Sequence, residues 1–235
     1  MNESEKRERI TANWKQVQSD VAQAAKQAGC EKDSVSVIGV TKYVDAETTA
    51  MLFDAGCTTL GENRPQVLWQ KAESDAFATR SPQWHLIGHV QRNKIRRVLR
   101  HRPLVHSVDS RRVLTALSEE SVAADCITKV LLEVNISGDD AKTGFGADQL
   151  NALLIDEGLP NIEICGLMAM AGWGTSGDVA QAQFAEVREL RDKLASQSGN
   201  PLPELSMGMS GDFFEAIAEG ATMVRIGSRL FDGIL

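Results

Sequence analysis

No pair of cysteines in this chain has the spacing of a metal site. The four, Cys30, Cys57, Cys126 and Cys165, stand far apart and form no CxxC. Three of them begin or sit inside apolar runs that read as strands, the setting of reduced, buried thiols in a cytosolic protein. Long apolar runs are missing too. Nothing approaches the roughly 18 residues that span a bilayer, and the opening MNESEKRERI is charged rather than apolar. Neither secretion nor membrane insertion is expected, and the expected location is cytoplasmic. Basic residues are too few for a general nucleic-acid binder: 25 Lys and Arg stand against 32 Asp and Glu, a formal net charge of −7. No Pro-, Gly- or Ser-rich linker divides the chain, so residues 1–235 are expected to form a single domain.

What the chain does have is alternation. Ile10, Trp14, Val17, Val21, Ala24, Ala25 and Ala28 recur at helical spacing between Asn2 and Gly29, which predicts a long amphipathic helix stopped by glycine. After it, eight short apolar runs read as strands: VSVIGVT, CTTLG, QWHLIG, PLVHSV, CITKVLLEVNI, IEICGLMAM, PELSMG and ATMVRIG. Full helices are expected between them, at about 45–55, 64–78, 92–100, 110–123, 148–157, 178–196 and 212–219. Eight such units predict an α/β fold, a single (β/α)8 TIM-type barrel with an additional N-terminal helix. An open doubly wound sheet is the alternative that local patterns leave standing.

In a closed barrel of this kind the functional face lies at the carboxyl ends of the strands. Lys42 falls at the end of the first, in VSVIGVTKYV. By alternation Ser36, Ile38, Val40 and Lys42 share a face, so Lys42 points into the mouth if Val40 lines the interior. A lysine that merely reaches the rim solvent is the alternative. The last two units carry features of an anion site: Ser210 just before a predicted helix in LSMGMSGDFFEAI, and the Gly227-Ser228 step in MVRIGSRLFDG. Closure makes the first and last strands neighbours, about 4.8 Å apart. An amine on one and an anion cradle beside it suit the two ends of a small phosphorylated aldehyde, and pyridoxal 5′-phosphate has that form. Arg225 shares a face with Met223 and Ala221 and is expected to reach the mouth between them. As a donor-only, permanently charged partner it keeps a ring nitrogen unprotonated, which weakens such a cofactor as an electron sink. A salt-bridge residue of the barrel floor is the alternative for Arg225.

Across almost the whole chain, GVTKYV, LGENRPQ, WHLIGHVQRNK, VHSVDS, EVNISGDDAKTGF, GLMAM and LSMGMSGDFFEAIAEGATMVRIGSRLFDG resemble the YggS/PROSC-type pyridoxal phosphate homeostasis proteins, relatives in fold of the N-terminal barrel of alanine racemases. The resemblance implies that Lys42 is a Schiff-base lysine, that Arg225 partners the pyridine nitrogen, and that Ser210, Gly227 and Ser228 hold the phosphate. It also places Asn63, His85 and Met207 beside the ring. From the residues alone, Asn63 reads equally as a helix N-cap and His85 as a satisfied strand-end histidine. GENRPQV departs from a commoner GENYVQE form, and Arg64 alters the charge of the mouth.

The related racemases bring a tyrosine base from a second domain to the cofactor face opposite the lysine. The only tyrosine here, Tyr43, adjoins Lys42 and is expected to point away from it by strand alternation. The implied protein therefore stores or delivers pyridoxal phosphate within the cell without efficient catalysis of its own. Its expected partners are the cofactor and pyridoxal phosphate-dependent apo-enzymes, with no nucleic acid and no membrane, and it is complete as a monomer. A pyridoxal phosphate-dependent racemase or lyase, or a Schiff-base aldolase acting on a phosphosugar through Lys42, is the alternative. The segment QRNKIRRVLRHR holds six Lys and Arg in twelve residues and reads as a solvated outer helix seated on Ile95, Val98 and Leu99. Lys142 is a second lysine above the same face, in a loop where it is less easily desolvated than Lys42. No metal is expected, since the acidic pairs do not match a calcium loop.

Overall fold

The computed structural model describes residues 1–31, 33–136, 143–155, 159–172, 174–175 and 177–235. Lys142 lies outside the described residues. Eight parallel strands close into one barrel in chain order: β1 Ser36–Val40, β2 Thr59–Glu62, β3 Gln83–Leu86, β4 Leu104–Val108, β5 Thr128–Glu133, β6 Ile162–Met168, β7 Glu204–Met209 and β8 Met223–Ile226. Gly39 of β1 stands opposite Leu60 of β2 on one side and opposite Ile226 of β8 on the other, which completes the ring and removes the open-sheet alternative. Ile38, Leu104, Leu131, Cys165, Met168 and Met223 pack together as a small cluster separate from the larger core. Their membership in strands from around the ring is what a filled barrel interior requires.

The helices are α1 Glu3–Gln27, α2 Ala46–Asp54, α3 Pro65–Ala72, α4 Ile95–Val98, α5 Arg111–Ala123, α6 Ala147–Ile155, α7 Asp178–Ser198 and α8 Phe213–Ala218. α1 starts in a capping box, with the Asn2 side chain accepting from the Glu5 N–H and the Glu5 carboxylate from the Asn2 N–H. It buries Ile10, Trp14, Val17 and Val21 against α8 and a 3₁₀ turn, Ser228–Phe231, at the end of the chain. The Asn13 amide donates to Leu230 O at 3.1 Å and Asp232 O at 3.0 Å, and Arg229 of that turn pairs with Asp20. The N-terminal helix therefore braces the loop that follows β8.

Two helices are shorter than their sequence pattern predicts. The stretch expected as a full helix at 92–100 is one α turn between the 3₁₀ turns Arg92–Lys94 and Leu99–His101. Ile95, Val98 and Leu99 anchor it, but Arg96 is drawn to Glu120 of α5 and Arg97 to Glu73 beside α3. It ends at Arg102 in a left-handed conformation (φ 46) directly before Pro103, where a helix cannot continue. Likewise α3 stops at Ala72, and the remainder of its predicted length is the 3₁₀ turn Asp75–Phe77. All four cysteines are free, Cys57 and Cys165 buried and the other two half-buried, and burial pushes the Cys57 thiol up to about 12. Among the described residues no helix is long and apolar enough to cross a membrane.

Candidate functional site

β1 ends at Val40, so Lys42 sits in the loop just above it rather than on the strand. Thr41 is still held by its N–H to Gly61 O at 3.1 Å. Lys42 itself is exposed, with Nζ 4.8 Å from the centroid of the Tyr43 ring. Tyr43 thus lies against the lysine it is expected to face away from, because alternation lapses once ladder pairing ends. The loop after β8 meets the end of β1 directly, since a Cβ placed on Gly227 would stand 3.4 Å from both Val40 Cβ and Val40 O. The Gly227 N–H donates to Ser210 Oγ at 3.2 Å and ties in the loop after β7. That loop is a closed turn, in which the Met209 N–H donates to Asp212 Oδ1 (2.6 Å) and the Asp212 N–H to Met209 O (3.2 Å), with Ser210 and Gly211 at its tip. Helix α8 starts only at Phe213 and has six residues. So short a helix has a weak dipole, and the polar groups that this end of the barrel presents are hydroxyls and loop N–H groups.

Below this opening Arg225 is buried at 5% exposure. Its Nη1 donates to both Ser206 O and Ser206 Oγ at 2.7 Å, and its Nη2 to Ala169 O at 2.9 Å. Burial draws its pKa down to about 10 while Asp212 and Glu133 pull the other way, so the guanidinium stays charged at neutral pH. Its hydrogen bonds go to carbonyls and a hydroxyl, which separates it from a floor salt bridge. Ser206 Oγ also lies 2.9 Å from His106 Nδ1, and His106 Nε2 lies 2.8 Å from His85 Nδ1. Among the described residues the buried His85 Nε2 has no hydrogen-bond partner. His85 is accordingly not the fully satisfied histidine of the alternative reading.

Burial lowers the pKa of His85 to about 4 and carries that of His106 well below the usual imidazole range, with His85 and Arg225 adding to the effect on His106. Above about pH 6.5 the folded and unfolded chains both hold these rings neutral. As pH falls from there toward 4, the unfolded chain binds protons that the folded one refuses, so stability is lost with falling pH. At about 1.4 kcal/mol per unit, His85 alone withdraws about 3 kcal/mol by pH 4. Urea unfolding at several pH values between neutrality and about pH 5 is expected to show this decline, with a slope one proton smaller in His85→Leu. Equal slopes in the two proteins would contradict it.

Asn63 is half-buried and is not a helix cap, because the N-cap of α3 is Arg64. The backbone of Asn63 rests against Gly88, where a Cβ would come within 2.2 Å of Asn63 O, so that glycine admits no side chain. Met207 is fully buried in the main core, next to Ser206 in β7. Ser228 is exposed at the start of the last 3₁₀ turn.

A second buried polar cluster lies immediately behind Lys42. Lys71 of α3 reaches Glu62 Oε1 at 2.5 Å and Thr41 O at 2.8 Å, and Thr41 Oγ1 donates to the same carboxylate oxygen at 2.5 Å. Thr41 and Glu62 have no exposed surface and Lys71 only 4%. Burial lowers the Lys71 pKa and the Glu62 carboxylate opposes that shift. The residue preceding Lys42 is therefore fastened through its N–H, carbonyl and hydroxyl. Sequence reasoning passes over His106, Ser206, Glu62 and Lys71. A polar residue interrupting the apolar runs LVHSV and ELSM is a usable signal for His106 and Ser206, whereas nothing local marks Lys71.

An exposed lysine just past the first strand, a buried arginine on the last, and hydroxyl-bearing loops after the final two strands define a class of β/α barrel. The family model of the alanine racemase N-terminal domain matches residues 6–233. The pyridoxal phosphate homeostasis protein of Pseudomonas aeruginosa is 38% identical over 224 residues, 94% of each chain, and that of Aquifex aeolicus 34% identical over 212 residues, 90% of this chain and 92% of the other. The structure of PipY from Synechococcus elongatus PCC7942 with PLP bound has a TM-score of 0.79 at 33% identity and covers 90% of this chain and 99% of that one. Alanine racemase from Corynebacterium glutamicum shares the fold alone, with a TM-score of 0.69 at 14% identity over 95% of this chain and 60% of its own. The chain belongs to the alanine racemase N-terminal domain family and, within it, to the pyridoxal phosphate homeostasis proteins.

Proposed function

We propose that the protein binds pyridoxal 5′-phosphate at the mouth of the barrel and holds it for delivery rather than for turnover. The observation that carries this reading is the contact path from Val40, two residues before Lys42, to Gly227 and on to Ser210, which supports a shared opening for the exposed amine and the anion donors. The residues fit the group: Ser210 and Ser228 offer hydroxyl donors for phosphate, with the Gly227 N–H fixing the Ser210 hydroxyl beside them, Lys42 an amine for the aldehyde, and Arg225 a fixed cation for the ring nitrogen. The orphaned His85 Nε2 lacks a partner that a polar ligand atom would provide. Asn63 lines the ring side, and Met207 backs it from the core. When bound, pyridoxal phosphate supplies an electrophilic aldehyde that a primary amine captures reversibly.

The chain's own residues argue against efficient amino-acid chemistry. Arg225 remains charged and donor-only, so a nitrogen facing it stays unprotonated and the ring is a poor electron sink. The single tyrosine lies against the Lys42 ammonium and offers no base on an opposing face. The closed sheet leaves no unpaired strand edge, which supports action as a monomer. Pyridoxal phosphate-dependent apo-enzymes are the recipients this reading names. Protein loaded with pyridoxal phosphate is expected to turn over alanine, serine and other amino acids far more slowly than about 1 per second, the low end for enzymes, and to activate an added apo-enzyme. Turnover at or above that rate would place the protein among the enzymes instead.

A further inference from the structure

We propose that His85, His106, Ser206 and Arg225 form a relay with one fixed direction, which holds His85 as a neutral Nε2–H donor for an oxygen of the ligand. His106 and Ser206 are its positioning residues. The inference rests on the pyridoxal phosphate reading for the identity of that ligand, but the direction of the relay follows from counting hydrogens. The relay runs from β3 through β4 and β7 to β8, across the barrel.

Arg225 has only hydrogens to give, so Ser206 Oγ accepts from it. Ser206 has a single hydroxyl hydrogen, and among the described residues its Oγ has no partner besides Arg225 and His106 Nδ1. If that hydrogen goes to His106 Nδ1, His106 carries its proton on Nε2 and donates to His85 Nδ1, which leaves His85 protonated on Nε2. Every hydrogen shared between these four side chains then has an acceptor, and only the one on His85 Nε2 is left without one. In the reverse direction the Ser206 hydroxyl hydrogen is stranded as well as the His85 nitrogen, which doubles the number of buried unsatisfied groups. The guanidinium also polarises the Ser206 hydroxyl toward donation, reinforcing the first direction. A doubly protonated ring is disfavoured by burial and by Arg225 alongside.

His85 Nε2 lies on the ring edge turned away from Nδ1 and His106. It is a fixed donor inside the barrel, opposite in chemistry to the acceptor that the other neutral tautomer presents at Nε2. Of the acceptors that pyridoxal phosphate carries, the phosphate is assigned to the loops after β7 and β8, the ring nitrogen to Arg225 and the aldehyde to Lys42. The phenolic oxygen remains, and of Asn63 and His85, the two polar residues beside the ring, we assign it to His85, whose buried Nε2 lacks a partner among the described residues.

Protein labelled with ¹⁵N at histidine, examined without ligand, is expected to show both His85 and His106 as neutral Nε2–H tautomers at neutral pH. An Nδ1–H tautomer at either ring would overturn the relay. Pyridoxal phosphate is expected to bind His85→Leu about tenfold more weakly than the unaltered protein, whereas 3-deoxypyridoxal phosphate, which lacks the phenolic oxygen, binds both alike. Equal losses for the two ligands would remove the oxygen contact. Ser206→Ala keeps the carbonyl that anchors Arg225 but deletes the hydroxyl that sets direction. It is expected to mix the His85 tautomers and weaken pyridoxal phosphate binding with His85 still in place, and an unchanged tautomer there would also count against the proposal. Absence of any borohydride-trapped adduct on Lys42 in the unaltered protein would sink the functional reading instead, since the tautomers are read before ligand is added.

Discussion

Lys42→Ala protein mixed with pyridoxal phosphate and reduced with borohydride is expected to carry no pyridoxyl group on any lysine, while the unaltered protein carries one at position 42. The expectation is all-or-none because no other described lysine combines exposure with a place at the mouth. Lys71 is the nearest competitor along this face, yet its ammonium is buried and committed to Glu62 and Thr41. Without the amine, only the phosphate and ring contacts remain, so the absorbance of the bound aldehyde is expected to vanish with the adduct. Mass spectrometry of the reduced peptides is the deciding measurement. Full labelling of a different lysine in the variant would relocate the site.

Breaking the buried ion pair is expected to give the largest change in stability. Glu62→Leu alone leaves the Lys71 ammonium buried without its counter-charge, and Lys71→Met alone leaves a buried carboxylate in the same position. Each is expected to cost about 3–5 kcal/mol, the usual penalty for an uncompensated interior charge. That is a large share of the roughly 5–15 kcal/mol by which domains are stable. The pair Glu62→Leu and Lys71→Met together replaces two charges with apolar volume and is expected to recover most of the loss, because the desolvation cost of both ions disappears as well. A double-mutant cycle on urea unfolding measures the coupling directly. Additive losses would mean that the two side chains do not act as a unit. The recovered double variant also separates folding from positioning: it lacks the clamp on the Thr41 carbonyl and hydroxyl, and it is expected to form the Lys42 adduct less completely at the same ligand concentration.

The two polar clusters explain why a barrel of ordinary composition has so specific a rim. One, outside the sheet, fastens the residue before the lysine. The other, inside it, fastens the arginine and orients a histidine. Between them they fasten Thr41, the residue before Lys42, and Arg225 through bonds to backbone carbonyls.

Much of this was legible in the chain itself. The runs from VSVIGVT to ATMVRIG mark eight strands because a buried parallel strand needs an unbroken apolar stretch, and that demand is local. Lys42, Ser210, Arg225 and the Gly227-Ser228 step could be placed at strand ends for the same reason. The helix expected at 92–100 comes out as a single α turn, because periodicity records which residues are buried but not the pull of Glu73 and Glu120 or the stop imposed before Pro103. The orientation of Tyr43 was misjudged because alternation holds only while ladder bonds persist.

Local pattern by itself determined the α/β class, the number of units and the places of Lys42, Ser210 and the Gly227-Ser228 step next to strand ends, since each depends on neighbours a few residues apart. Tertiary structure alone decided that β1 meets β8, that Lys71 finds Glu62 behind the lysine, and that Ser206 joins His106 across one hundred residues of sequence. Those contacts exist only after closure, when the ring brings together side chains whose pairing leaves no periodic trace along the chain.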